Sequence, residues 1–200
     1  MIKKKVTIEM AEEHTHKHHG KTSRDVLDAK EILNIINLKQ GNKFLDVGCG
    51  DGYVSIEASS RVGTDGMIFS LDVYPESIEG VTKEIKDKGI ENLEPILADV
   101  TESIPLDDDS VDVVFMSNVL HGFGGEELET VLKNINRVLK KDGMFAVVEF
   151  RKIQSERGPP FDVRLHPSDV SDILTNHGYS VLDSKEIGTY HYIVLGQKIY

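Results

Sequence analysis

At 200 residues, with 39% apolar and 28% charged side chains, the chain has the length and composition of one globular domain and is short for two. Its net charge of -11 disfavours the broad cationic surface that phosphate backbones require, so no nucleic-acid partner is expected. The single cysteine, Cys49, excludes an internal disulfide framework and a cysteine-rich zinc site. The sequence shows neither a signal-peptide core nor an apolar run of membrane-spanning length, so a cytoplasmic protein with no membrane partner is expected.

Near the start, "EEHTHKHHGKTS" places His14, His16, His18 and His19 in one polar stretch. Imidazoles at this density are candidate ligands for a divalent metal, although the spacing is not that of a zinc finger. A solvated polar segment is the alternative. From Ser23 the pattern changes: Val26, Leu27, Ile32, Leu33, Ile35 and Ile36 predict a helix, with Thr22 or Ser23 as its cap. After Gly41, "KFLDVG" reads as a short buried strand.

The units then alternate. "YVSIEASSRV" predicts a helix, "MIFSLDV" a strand, and "PESIEGVTKEIKDKG" a helix with Pro75 at its start and Gly89 at its end. "LEPILADV" reads as a strand weakened by Pro95, and "VDVVFMSNVL" as a strand covered on both faces. "EELETVLKNINRVLK" repeats apolar residues at helical spacing, a core-facing stripe, and "DGMFAVVEF" is a further strand. Beyond it come a long polar loop, "RKIQSERGPPFDVRLH", a helix in "PSDVSDILTNHGY", and a terminal strand pair. Alternation of strand and helix with short turns predicts an α/β fold, a parallel sheet with helices on both faces.

"FLDVGCGDGY" carries the chemistry. Gly48, Gly50 and Gly52 alternate between a strand and a helix, where glycine permits a tight turn and close approach of a ligand. The dinucleotide pattern G-x-G-x-x-G fails, because Tyr53 occupies the third-glycine position, and no P-loop is present. Asp46 and Asp51 place carboxylates at this loop, which suits a ligand without a pyrophosphate.

Together, "LDVGCGDG", "LDV" ending at Val73, "ADV" ending at Val100, and "VDVVFMSNVLH" leading to "LKKDGMF" resemble the class I S-adenosylmethionine-dependent methyltransferases, across about residues 40–150. The chain also resembles the small-molecule subgroup that contains quinone and arsenite enzymes, although one cysteine argues against arsenite chemistry. The resemblance implies a Rossmann-like, doubly wound sheet of about seven strands, mostly parallel with an antiparallel C-terminal strand. It also implies S-adenosylmethionine as cofactor and in-line methyl transfer to a small-molecule acceptor. Asp46, Gly48, Cys49, Gly50, Asp51 and Gly52 would form the cofactor loop. Asp72 would accept from the ribose hydroxyls with Val73 beside it, Asp99 and Val100 would meet the adenine, and Asn118 and Val119 would line the methionine end.

On the acceptor side, His121 is the candidate general base, with Arg151, Arg164 and His166 as further acceptor-binding residues. His191 lies in a strand, with its facing undetermined. Residues 1–40, the His-rich segment and its helix, are expected to form a lid on a methyltransferase domain spanning 41–200, and a homodimer would be one way to complete the roof. A non-catalytic cofactor- or metal-binding regulator, or a protein or RNA methyltransferase acting with a partner, is the competing reading.

Overall fold

A computed structural model describes residues 24–200. The histidines His14, His16, His18 and His19 lie outside the described residues. The first helix, α1 (Ala29–Ile35), starts later than the apolar pattern predicts. Its cap is Asp28, whose Oδ1 accepts from the N–H groups of Lys30 at 2.8 Å and Glu31 at 3.3 Å. Val26 and Leu27 precede the helix, so their apolar character reflects packing onto the core rather than helical periodicity.

The sheet then builds from β1 (Lys43–Val47), β2 (Met67–Asp72), β3 (Leu93–Leu97), β4 (Val111–Ser117), β5 (Leu139–Phe150), β6 (Tyr179–Ile187) and β7 (His191–Lys198). Interleaved are α2 (Tyr53–Val62), α3 (Pro75–Lys88), α4 (Gly125–Val138) and α5 (Pro167–Asn176). The strand order is β3-β2-β1-β4-β5-β7-β6. Every pairing from β3 across to β5 is parallel, and β7 enters antiparallel between β5 and β6. Pro95 sits opposite Ser70 in β3, an edge strand, where a missing N–H costs no ladder bond on the open side.

Alternate residues of the central strands feed two cores. Leu45, Val47, Val114, Met116, Phe145 and Val147 pack on the face covered by α4 and α5. Phe44, Val113, Phe115, Ala146 and Val148 pack on the face that holds α1, α2 and α3. In α4 the residues Val131, Leu132, Ile135 and Val138 are at most 1% exposed, so the predicted stripe is core. Burial of each such side chain stabilises the fold by roughly 1.5–3 kcal/mol. Through Ile32, Leu33 and Ile36, α1 joins the second core, making it a layer of the domain. The parallel strands β1, β2, β4 and β5 all end at one rim of the sheet, and order reverses between β1 and β4, where open α/β folds gather ligands.

Candidate active site

At this rim the chain leaves β1 through Gly48, Gly50 and Gly52, all with left-handed backbone, φ +72°, +55° and +70°. A Cβ at Gly48 would lie 2.5 Å from a methyl of Val119, so the loop and the end of β4 are in direct contact. A Cβ at Gly50 would meet nothing within 4 Å, so this glycine cradle is open on that side. Gly50 also donates its N–H to Asp72 Oδ2 at 2.9 Å, while Tyr74 donates to Asp72 Oδ1 at 2.9 Å. Asp72 is thereby buried and fixed at the end of β2, each oxygen keeping a second lone pair.

The other loop residues divide by role. Asp46 is turned beneath α2 and accepts from Ser55 Oγ at 2.6 Å; burial raises its pKa to about 7. It therefore holds the loop to α2 from below. Burial, reinforced by Asp46 and Asp72, pushes the Cys49 thiol well above its ordinary range, as suits a small packing residue and not a nucleophile. Asp51 receives Arg24 Nε at 2.8 Å, and this bond is the main reason the Arg24 pKa is raised. The Arg24 guanidinium also lies 5.0 Å over the Tyr53 ring, which ties the start of the described chain to the glycine loop.

Farther along the rim, Val73 is 46% exposed beside Asp72, whereas Val100 is buried. Asp99 Oδ1 accepts from the N–H and hydroxyl of Thr101 at 2.8 and 2.7 Å, so this residue builds its own turn. Asn118 directly follows β4 in a left-handed conformation, φ +58°, with Oδ1 buried and without a hydrogen-bond partner. A non-glycine residue at positive φ and an orphaned buried oxygen at one position are features that collect at ligand sites. The glycine cradle, the carboxylate of Asp72 and this oxygen fit a cofactor with an amino-acid end and a ribose.

His121 lies in a short 3-10 turn, Leu120–Gly122, immediately past β4. Its ring Nδ1 is 2.8 Å from Glu149 Oε2, and its backbone N–H donates to Glu149 Oε1 at 3.1 Å. Sequence reasoning missed Glu149, which is 1% exposed at the end of β5. The available signal was a lone acid inside the apolar run "FAVVEF".

The remaining candidates serve the long loop. Arg164 is 4% exposed and donates to the carbonyls of Pro159, Arg151, Ile153 and Arg157 and to Ser155 Oγ. Its guanidinium packs 5.5 Å from the Phe150 ring centre. These bonds make Arg164 the organiser of its loop instead of an open anion receptor. Arg151 pairs with Glu186 at 2.8 Å and so bridges the loop to β6. His166 is exposed and caps α5, its N–H donating to Asp169 Oδ2 at 2.7 Å. His191 is completely buried against Phe150, with ring centres 4.0 Å apart and both ring nitrogens unpartnered. Burial, with the nearby Arg164 charge, lowers its pKa to about 4. Among the described residues no cluster of His, Cys, Asp and Glu has the arrangement of a metal site, and no helix is long and apolar enough to cross a membrane.

A doubly wound sheet with a glycine loop at the β1–β4 reversal defines an α/β protein of the class that gathers ligands at the carboxyl rim of its sheet. The chain belongs to the methyltransferase-domain family, whose model matches residues 38–180. A crystal structure of a SAM dependent methyltransferase from Aquifex aeolicus superposes with a TM-score of 0.82 at 28% identity, covering 90% of this chain and 95% of that one. The probable cobalt-precorrin-6B C(15)-methyltransferase (decarboxylating) of Sulfolobus acidocaldarius is 26% identical over 182 residues, 84% of this chain and 89% of that protein. The demethylmenaquinone methyltransferase of Staphylococcus epidermidis is 33% identical over 123 residues, 60% of this chain and 48% of that protein, so that match spans about half of its length. The protein is an S-adenosylmethionine-dependent methyltransferase.

Proposed function

We propose that the protein methylates a small-molecule acceptor bound at the carboxyl ends of β4 and β5. The observation that supports this reading is the close approach of Gly48, in the loop assigned to the cofactor, to Val119, two residues before His121. Two relatives are named for small substrates, cobalt-precorrin-6B and demethylmenaquinone. The described chain also lacks an inserted substrate domain between its core strands.

In this reading the backbone of Gly48–Gly52 and the Asn118 oxygen hold the amino-acid end of S-adenosylmethionine. Asp72 accepts from the ribose hydroxyls, and Asp99 and Val100 flank the adenine with Val73. The cofactor supplies a methyl group already activated on a sulfonium. The protein therefore acts chiefly by alignment and exclusion of water. His121 takes a proton from the acceptor where one must leave. Arg164 shapes the loop that walls the acceptor, and Arg151 and His166 flank it. The Arg24–Asp51 pair supports a roof contributed by residues 24–28.

Incubation of the full chain with methyl-labelled S-adenosylmethionine and a cell extract tests the reading. Label is expected in the small-molecule fraction after size separation. Label confined to protein or RNA would overturn it.

A further inference from the structure

Both oxygens of Glu149 are spent on one residue, His121: one on its backbone N–H at 3.1 Å and one on its ring Nδ1 at 2.8 Å. A carboxylate only 1% exposed costs several kcal/mol of desolvation unless it is fully paired, so this pairing holds the 3-10 turn and its ring together. A carboxylate only accepts hydrogen bonds, so the neutral ring carries its proton on Nδ1 and presents a lone pair at Nε2. The His121 side chain is 11% exposed, and Nε2 is the ring nitrogen left for an incoming group.

We propose that Glu149 is a positioning residue that fixes His121 as a proton acceptor, and that the methyl acceptor is a phenol- or enol-type hydroxyl. The proposal rests on the methyltransferase site described above and on His121 facing the acceptor. In the step, the hydroxyl oxygen forms the bond to the methyl carbon while the carbon–sulfur bond breaks and its electron pair stays on sulfur. The hydroxyl proton passes to Nε2. The imidazolium that results lies against the Glu149 carboxylate, which compensates its charge and keeps its own protonation unchanged. A weakly acidic hydroxyl needs such a base. A thiol is already partly ionised near neutral pH and gains less.

Two readouts on the full chain test this. Nitrogen-15 NMR of the histidine rings should find His121 as the Nδ1–H tautomer in the wild type and mainly as Nε2–H in Glu149→Ala. The same tautomer in both proteins overturns the positioning role. With S-adenosylmethionine and 2-naphthol as probe, Glu149→Ala should lower kcat roughly 100-fold with KM little changed, while transfer to 2-naphthalenethiol falls less than about 5-fold. Equal losses on both probes, or no methylation of 2-naphthol by the wild type, overturn the hydroxyl class. Calorimetry of each variant with S-adenosylmethionine separates these failures from failure of the cofactor site. Wild-type turnover of 2-naphthol by His121→Gln would instead reject His121 as the base.

Discussion

The N–H of Gly50 donates to Asp72 Oδ2 at 2.9 Å, so the glycine loop after β1 is tied to the end of β2. Asp72→Ala removes this bond, the bond from Tyr74 and the carboxylate assigned to the ribose. A hydrogen bond to a charged group contributes about 1.5–3 kcal/mol, so affinity for S-adenosylmethionine should fall 10- to 100-fold, on the order set by that energy. Titration calorimetry reads this directly. Unchanged affinity would reject the ribose assignment.

Two glycines of the same loop should fail in different ways. Gly48→Ala forces a methyl into the Val119 side chain, at 2.5 Å, from a backbone with φ +72°. Strain and overpacking together should cost about 2–4 kcal/mol of stability, and Val119→Ala in the same chain should recover part of it. Gly50→Ala has open space around the new methyl and only its left-handed backbone to strain, at about 1 kcal/mol. Its methyl would take up open space beside the loop assigned to the cofactor, so the variant should fold yet bind S-adenosylmethionine about 10-fold more weakly, the loss that ~1.4 kcal/mol of displaced contact gives. Denaturant melts and calorimetry together distinguish the two outcomes.

Two buried groups oppose each other in the pH dependence of stability. Asp46 has a folded pKa raised to about 7 from 3.8, so the folded state holds a proton that the unfolded state releases. Its contribution favours folding at low pH and is lost as pH rises from about 4 to 7. His191 has a folded pKa lowered to about 4 from 6.5, so the unfolded state is the one that binds the proton. Its contribution is present above about pH 6.5 and is lost as pH falls toward 4. Relative to the wild type, Asp46→Asn should gain stability as pH rises through this range, and His191→Phe should lose it. Each difference should reach about 1–3 kcal/mol, allowing for relaxation around the buried groups. Denaturant midpoints at pH 4.5, 5.5 and 6.5 would show it, and parallel curves for all three proteins would refute both shifts.

Hydrophobic periodicity and glycine spacing made the sheet, its helices and the glycine turn between β1 and α2 legible, because each depends on residues close in sequence. Pro95 weakened a strand that exists because edge position, a property of the whole sheet, decides whether its missing N–H matters. The cap of α1 was misplaced because Val26 and Leu27 extend the apolar pattern, while Asp28 makes the capping bonds. Glu149 was overlooked because its meaning lies in His121, 28 residues earlier and one strand away. The charge of Arg164 suggests acceptor binding in the sequence, whereas its partners are mainly backbone carbonyls, which leave no mark there.

The Arg164 guanidinium reaches Pro159 O at 2.9 Å, Ile153 O at 2.7 Å and Arg157 O at 2.6 Å from one planar fork. Lysine keeps the charge but, as a point donor, cannot span these positions, and it stacks less well on Phe150. Arg164→Lys should therefore loosen residues 151–163 and speed their proteolysis about 5- to 30-fold, as loss of a bond network of about 1–2 kcal/mol would. Affinity for S-adenosylmethionine should stay within about 2-fold, since no bond of Arg164 reaches the glycine loop. A rise in acceptor KM with cofactor affinity intact would place the loop on the acceptor side. An equal loss of both would mean that the loop supports the whole rim, and unchanged proteolysis would mean that charge, not the fork, orders it.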